Sequence, residues 1–184
     1  ECVDREIDRL GEQNNSKNSF VFFERSGIAE AIIYDSSNCN IAVAGRVKMP
    51  SLKLYASLMV LKTIINYDYL FPKIRNECGA YGASFSFDLF GNIVFNSCNN
   101  SFVDKSIDII MNAPDYIEKM KLSKSSIENA KIGALRKFYS PLEPYEVGKK
   151  SYENYLMGLD SQVSMEVQKN IVEAKDSDVR NTTE

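Results

Sequence analysis

Apolar and polar positions change period several times along the chain, and each change marks an element. The first fifty residues hold only short runs. Asp4 to Leu10 reads as a helix fragment, Gln13 to Asn18 as a polar loop, and Phe20-Val21-Phe22-Phe23 as an apolar run long enough only for a strand or a packed lead-in. Residues 1–19 are therefore a partial helix and polar loop leading into the fold. Ala29 to Tyr34 and Asn40 to Lys48 read as strands, the second with Ile41, Val43 and Val47 on a buried face and Gly45 as the expected place of a bulge.

After Pro50 the period lengthens. Leu54, Leu58, Leu61 and Ile65 recur at steps of four, three and four, with Met59 and Ile64 widening the stripe, so Ser51 to Tyr67 is predicted as an amphipathic helix. A helical stretch carrying Leu70 and Ile74 ends near Arg75, and Gly79 lets the chain turn. Tyr81, Ala83, Phe85 and Phe87 then alternate with Gly82, Ser84, Ser86 and Asp88, the period of a strand with one buried face. Leu89-Phe90-Gly91 turns this strand back into Asn92 to Cys98 as a hairpin.

The second half is helical. Ser101 with Asp104 resembles a capping box before a helix pointing Val103, Ile107 and Ile110 inward, which Pro114 limits or restarts. Ser123 or Ser125 with Glu128 starts another, bearing Ile127, Ala134, Leu135 and Phe138. Pro144 opens a third through Leu156, a fourth runs from Ser161 to Ala174, and Asp176-Ser177-Asp178 reads like a further helix start. The pattern predicts an α+β fold: one two-layer domain over residues 1–184, with helices packed on one face of a mostly antiparallel or mixed sheet.

Composition narrows the function classes. With 184 residues and 44% apolar content the chain is long enough for one domain with a real core. A net charge of −3 without a Lys/Arg stripe argues against nucleic acid as a partner, and no run approaches the length of a membrane span. Cys2, Cys39, Cys78 and Cys98 are widely spaced with no C-x-x-C pair, so they read as buried or free thiols and favour a reducing, intracellular setting, the cytoplasm or an organelle matrix. Histidine is absent altogether. Neither an H-x-x-E-H zinc site nor a Ser-His-Asp or Cys-His device can be assembled from this chain. The carboxylate pairs Glu143/Glu146 and Asp4/Asp8 sit at helical spacing and read as solvated helix faces.

The richest segment is Asp68-Tyr69-Leu70-Phe71-Pro72-Lys73-Ile74-Arg75-Asn76-Glu77-Cys78-Gly79-Ala80-Tyr81-Gly82, which sets an arginine six residues before a glycine-flanked tyrosine at the mouth of a strand. A guanidinium and a phenol converging there suit a peptide carbonyl or the oxyanion formed from it. The wording I-R-x-x-x-G-A-Y-G resembles the C-terminal half of the pitrilysin/insulinase-type zinc metallopeptidases, in their presequence protease and falcilysin branch. The likeness runs from about Asn38 to about Leu159. It takes in the hairpin Ala80 to Asn99, the Leu122-Ser123 helix start, Pro141-Leu142-Glu143-Pro144, Gly148-Lys149 and Tyr155-Leu156-Met157 in the same order.

The resemblance implies a fold of helices on a mixed sheet and the last domain of a larger peptidase that degrades short or unfolded peptides in a closed chamber. It implies Arg75 as the grip on a substrate backbone carbonyl and Tyr81 as the catalytic oxyanion donor, also contacting substrate. Zn would be held by the N-terminal half of the same polypeptide, with no metal ligand in this chain and a mitochondrial or other organelle matrix as its setting. The start at Glu1 and the stop just after a helix start read as an excised fragment, which is expected to be inactive alone. Ordinary structural roles for the two residues are a helix C-cap for Arg75 and a half-buried sheet position for Tyr81. Other functional classes are a non-catalytic relative, such as a processing-peptidase substrate-binding subunit or a respiratory-complex core subunit, and an independent interaction domain. Cys78 departs from the family's usual glycine. A position requiring positive φ would be strained there; a thiol three residues from Tyr81 suggests sensitivity to oxidation or alkylation, and the ordinary reading is a buried, inert cysteine.

Overall fold

The computed structural model describes residues 29, 31, 32, 38–48, 51–157 and 159–183. By its contacts the chain falls into two compact units, Glu1–Asp35 and Ser36–Glu184. The helix expected at Asp4 to Leu10, the Asp4/Asp8 pair and the run Phe20 to Phe23 lie outside the described residues, as does most of the strand expected at Ala29 to Tyr34. Within that strand, Ala29, Ala31 and Ile32 are described, and they belong to no strand and are exposed.

In the second unit, β1 (Cys39–Arg46), β2 (Gly82–Phe87) and β3 (Asn92–Asn100) form a purely antiparallel sheet in the order β1-β3-β2. The bulge in β1 falls between Cys39 and Ile41, not at Gly45, which pairs regularly with Ile93. Ile41 is buried and Val43 half-buried, whereas Val47 lies beyond the strand and is exposed. The hairpin turn is built by Asp88, whose Oδ1 accepts the Phe90 and Asn92 N–H groups at 2.8 and 3.0 Å, while Gly91 takes φ 84°. Only a residue without Cβ adopts that φ cheaply, so glycine closes the loop.

Helices cover one face of the sheet. Phe85 is buried there and Ala83, Phe87, Ile93 and Phe95 pack around it, while Ser84 and Asn96 bond to each other on the opposite face at 2.9 Å. The central helix α1 (Leu52–Ile64) starts at Ser51, whose hydroxyl accepts the Leu54 N–H. It is buried on nearly every side rather than along one stripe: Ala56, Ser57 and Val60 are as enclosed as Leu58 and Leu61. Sheet and helices surround it, and each fully buried aliphatic side chain is worth about 1.5–3 kcal/mol.

The chain then widens into a π-helix over Ile65–Asn76. Pro72 sits inside it. Proline brings no N–H and pushes against the carbonyl four residues earlier in an α-helix, and the wider turn relieves that clash. The buried residues Ile65, Tyr69, Leu70 and Ile74 recur every four to five positions, matching the wider turn. Tyr69 is sealed into the core, where its hydroxyl donates to the Ile109 carbonyl at 2.7 Å and its ring stacks on Tyr116 at 4.4 Å.

Beyond the sheet, α2 (Val103–Met111) and α3 (Ala113–Lys119) are split at Asn112, with Pro114 in the first turn of α3. The expected Ser101 cap does not form. Ser101 donates to Asn38, and Asn100 Oδ1 takes the Phe102 N–H at 2.8 Å instead. Val103 is correspondingly exposed, and Ile109 joins Ile110 as the buried pair of α2. Next come α4 (Lys124–Tyr139, capped by Ser123), α5 (Pro144–Leu156), α6 (Ser161–Glu173, capped by Asp160) and α7 (Asp176–Arg180). α1 packs against α4 and α6. Among the described residues no helix is long and apolar enough to cross a membrane.

Candidate functional site

Arg75 lies in the last turn of the π-helix and points to solvent, its guanidinium carbon 4.7 Å from the centre of the Phe71 ring. Cation–π contact of this kind restrains a side chain that otherwise has many rotamers. After Arg75 the chain is pinned at every step. Cys78 is fully buried, Gly79 turns with φ 66°, the Ala80 N–H closes back onto the Ile74 carbonyl at 3.3 Å, and the Tyr81 N–H bonds the Cys98 carbonyl at 3.0 Å. Tyr81 itself is 74% exposed, although its place in the alternating pattern is on the buried side. It stands just before β2, where the pleat has not yet begun, so its side chain leaves the core.

The six-residue link therefore presents two donors outward from a rigid base. Among the described residues Arg75 has no carboxylate partner and the Tyr81 hydroxyl makes no hydrogen bond. Within the described residues both keep their full donor capacity.

Cys78 occupies helical backbone, since among the described residues Asn99 is the sole non-glycine with positive φ. Strain at Cys78 is thus absent, and the thiol is a packed core group. Cys98 is the exposed cysteine beside Tyr81: its carbonyl accepts the Tyr81 N–H, and its Sγ lies 3.7 Å from the Gly82 oxygen.

Three features escaped the sequence pattern. Asn66 binds both backbone groups of Phe85, accepting its N–H at 2.6 Å and donating to its carbonyl at 3.3 Å. Phe85 pairs with Phe95 at a position whose backbone groups face away from β3, so Asn66 takes the place of a missing neighbour strand and ties the π-helix to β2. Phe71 under Arg75 is the second, and an aromatic four residues before an arginine in a helix was its signal. The third is the exposure of Cys98, which the sequence offers only as one of four widely spaced thiols. Of the polar hairpin residues, Ser84 bonds Asn96, Ser86 leans on the Val94 carbonyl at 3.4 Å, and Asp88 is consumed by the turn.

A family model for the PreP C-terminal domain matches residues 29–184. This chain belongs to that family. The mitochondrial presequence protease of Xenopus laevis is 26% identical over 132 residues, covering 70% of this chain and 12% of that protein. Protein HypA of Clostridium perfringens is 24% identical over 134 residues, 73% of this chain and 14% of its own length. The chain thus spans about an eighth of the length of these curated relatives. In fold it is similar to a putative zinc protease of Bordetella pertussis Tohama I, with a TM-score of 0.60 at 18% identity over 78% of this chain and 84% of that one. The α+β architecture expected from the periodicity and from the resemblance is the one observed.

Proposed function

We propose that this domain is the substrate-facing C-terminal part of a zinc metalloendopeptidase that degrades short or unfolded peptides, with Arg75 and Tyr81 as its contributions to the reaction site. The observation that supports it most directly is the pair of unpartnered, outward donors held at the ends of one pinned loop. In this reading the Arg75 guanidinium grips a substrate backbone carbonyl. The Tyr81 hydroxyl donates to the oxygen of the carbonyl under attack, and its hydrogen bond strengthens as negative charge gathers there.

The residues of this chain do not fit a zinc site of their own. There is no histidine, and among the described residues no cluster of three or more Cys, Asp or Glu is placed to hold a metal ion. In this reading zinc belongs to the N-terminal half of the polypeptide, which closes over the peptide from the other side, and the isolated domain is inactive. The mitochondrial presequence proteases among its relatives support a mitochondrial matrix or an equivalent interior compartment.

Tyr81→Phe in the full-length protein tests the assignment, because it deletes one hydroxyl from an exposed ring and leaves the fold alone. Loss of a preorganised oxyanion donor lowers kcat by roughly 10²–10³-fold, with KM little changed and metal content intact. Turnover within about twofold of wild type, under half a kcal/mol by rate arithmetic, removes Tyr81 from catalysis and moves the domain to a non-catalytic role.

A further inference from the structure

At the far end of the hairpin from Tyr81, α5 stands off the body without burying any of its own residues. The gap it leaves against the hairpin tip, α4 and α6 is a half-open cavity of about 550 Å³. Its walls are apolar where they meet the core, with Tyr55, Phe87, Phe138, Val163 and Val167 among them. Lys137, Lys149 and Lys150 also line it, together with Asp88, Glu146, Glu153 and Asp160.

Each of these carboxylates already has a partner. Asp88 holds the hairpin turn, Glu146 accepts the Glu143 N–H at 2.9 Å, and Asp160 accepts the Val163 N–H at 2.9 Å. Glu146 and Asp160 both sit at helix N-termini, where the backbone dipoles compensate an anion. Glu153 pairs with Lys149 at 3.9 Å. Lys137 and Lys150 have no carboxylate within salt-bridge distance among the described residues. Burial lowers the pKa of the Lys137 ammonium, and the neighbouring charges that act on it, Lys62 and Lys150, lower it further. Among the cations lining the apolar pocket, Lys137 and Lys150 are thus the two without a carboxylate partner, and an anion seated between them would supply one.

We propose that this cavity binds an apolar molecule carrying a single carboxylate, its body among Phe87, Phe138 and Val163 and its head between Lys137 and Lys150. The chemistry is shared by alkyl carboxylic acids and by the C-terminal ends of hydrophobic peptides. The site is independent of the roles assigned to Arg75 and Tyr81.

The test is calorimetric titration of the full-length protein with decanoate and, separately, with decanol. Saturable decanoate binding should weaken at least tenfold in the Lys137→Gln/Lys150→Gln double variant, and the wild type should bind decanol at least tenfold more weakly than decanoate. Displacement of decanoate by trileucine, but not by trileucine amide, assigns the site to peptide ends. Displacement by neither assigns it to alkyl acids. Equal affinity of wild type and double variant for decanoate, or equal binding of decanol and decanoate, overturns the proposal. Unchanged thermal unfolding certifies the fold, and single Lys150→Gln on exposed α5 supplies the same comparison if the double variant does not fold.

Discussion

Asn66 and Phe85, nineteen residues apart, are joined by both backbone groups of the strand residue. This clamp fixes the π-helix against the outer edge of β2, and hence the base from which Arg75 leaves the helix relative to the strand that follows Tyr81. Removing it with Asn66→Ala leaves a half-buried N–H and carbonyl with no partner. The expected loss is about 1–3 kcal/mol, a fall in melting temperature of roughly 2–4 °C for each kcal/mol in a domain of this size. Asn66→Asp keeps the acceptor for the Phe85 N–H and should lose less. An Asn66→Ala protein that melts with the wild type would show that the edge is adequately satisfied without the side chain.

The contrast between this clamp and the hairpin shows what local sequence carries. Strict alternation from Ala83 to Phe87 and a glycine at position 91 specify strand, turn and buried face within ten residues, and all three form as expected. Asn66 joins a strand far along the chain, so no local window reveals it. The recurrence of Leu54, Leu58, Leu61 and Ile65 makes α1 read as amphipathic, yet Ala56, Ser57 and Val60 off that stripe are enclosed as well: the helix is central, and burial there follows from what surrounds it. The π-helix has no residue-type signature beyond a proline inside an apolar run. Ser101 matches a capping pattern, but Asn100, turned inward between Ser97 and Ser106, reaches the helix start first. At the candidate site the residue types and spacing of Arg75 and Tyr81 were legible, while Phe71, which holds the arginine, and the exposed thiol of Cys98 were not singled out.

Thiol chemistry separates Cys98 from Cys78. An exposed thiol reacts with maleimide in the native state, whereas one with no accessible surface waits for opening of the core. Mass mapping after brief labelling should find Cys98 modified and Cys78 untouched. If alkylation inhibits the full-length enzyme, Cys98→Ser should remove the part that arises beside Tyr81, and Cys78→Ser should not. Rapid native labelling of Cys78 would contradict the packing described here.

Acid stability offers a check on the C-terminal anchor. Asp178 receives the Lys53 ammonium at 2.8 Å and the Lys175 N–H at 3.0 Å. The Lys53 hydrogen bond is the largest influence and, with the Lys175 contact, lowers the Asp178 pKa against the opposing effect of burial. A folded-state pKa below the unfolded value of about 3.9 contributes stability that is fully present above that value and is lost as pH falls through the depressed one. Urea unfolding at pH 6 and pH 3 should therefore show a larger loss for wild type than for Asp178→Asn. Equal losses would mean that Asp178 titrates alike in both states.

Arg75 and Phe71 give the last prediction, which asks whether the arginine acts on the substrate and whether the ring beneath it matters. If the guanidinium holds a carbonyl in ground state and transition state alike, Arg75→Ala in the full-length enzyme raises KM, unlike the kcat defect expected of Tyr81→Phe. Arg75→Lys should recover only part of the loss, since an ammonium lacks the planar fork and stacks less well. Phe71 touches no substrate in this scheme and works by restraining Arg75. A cation–π contact at an exposed site is worth about 0.5–1 kcal/mol, so Phe71→Leu should raise KM by roughly two- to fivefold. Phe71→Tyr keeps the aromatic face and should restore the wild-type KM, which a purely structural role for the ring would not require. Steady-state kinetics on one fluorogenic peptide, with thermal unfolding in parallel, distinguishes the cases. A Phe71→Leu enzyme with unchanged KM, or an Arg75→Ala enzyme impaired solely through its melting temperature, would return Arg75 to the role of a helix-end surface residue.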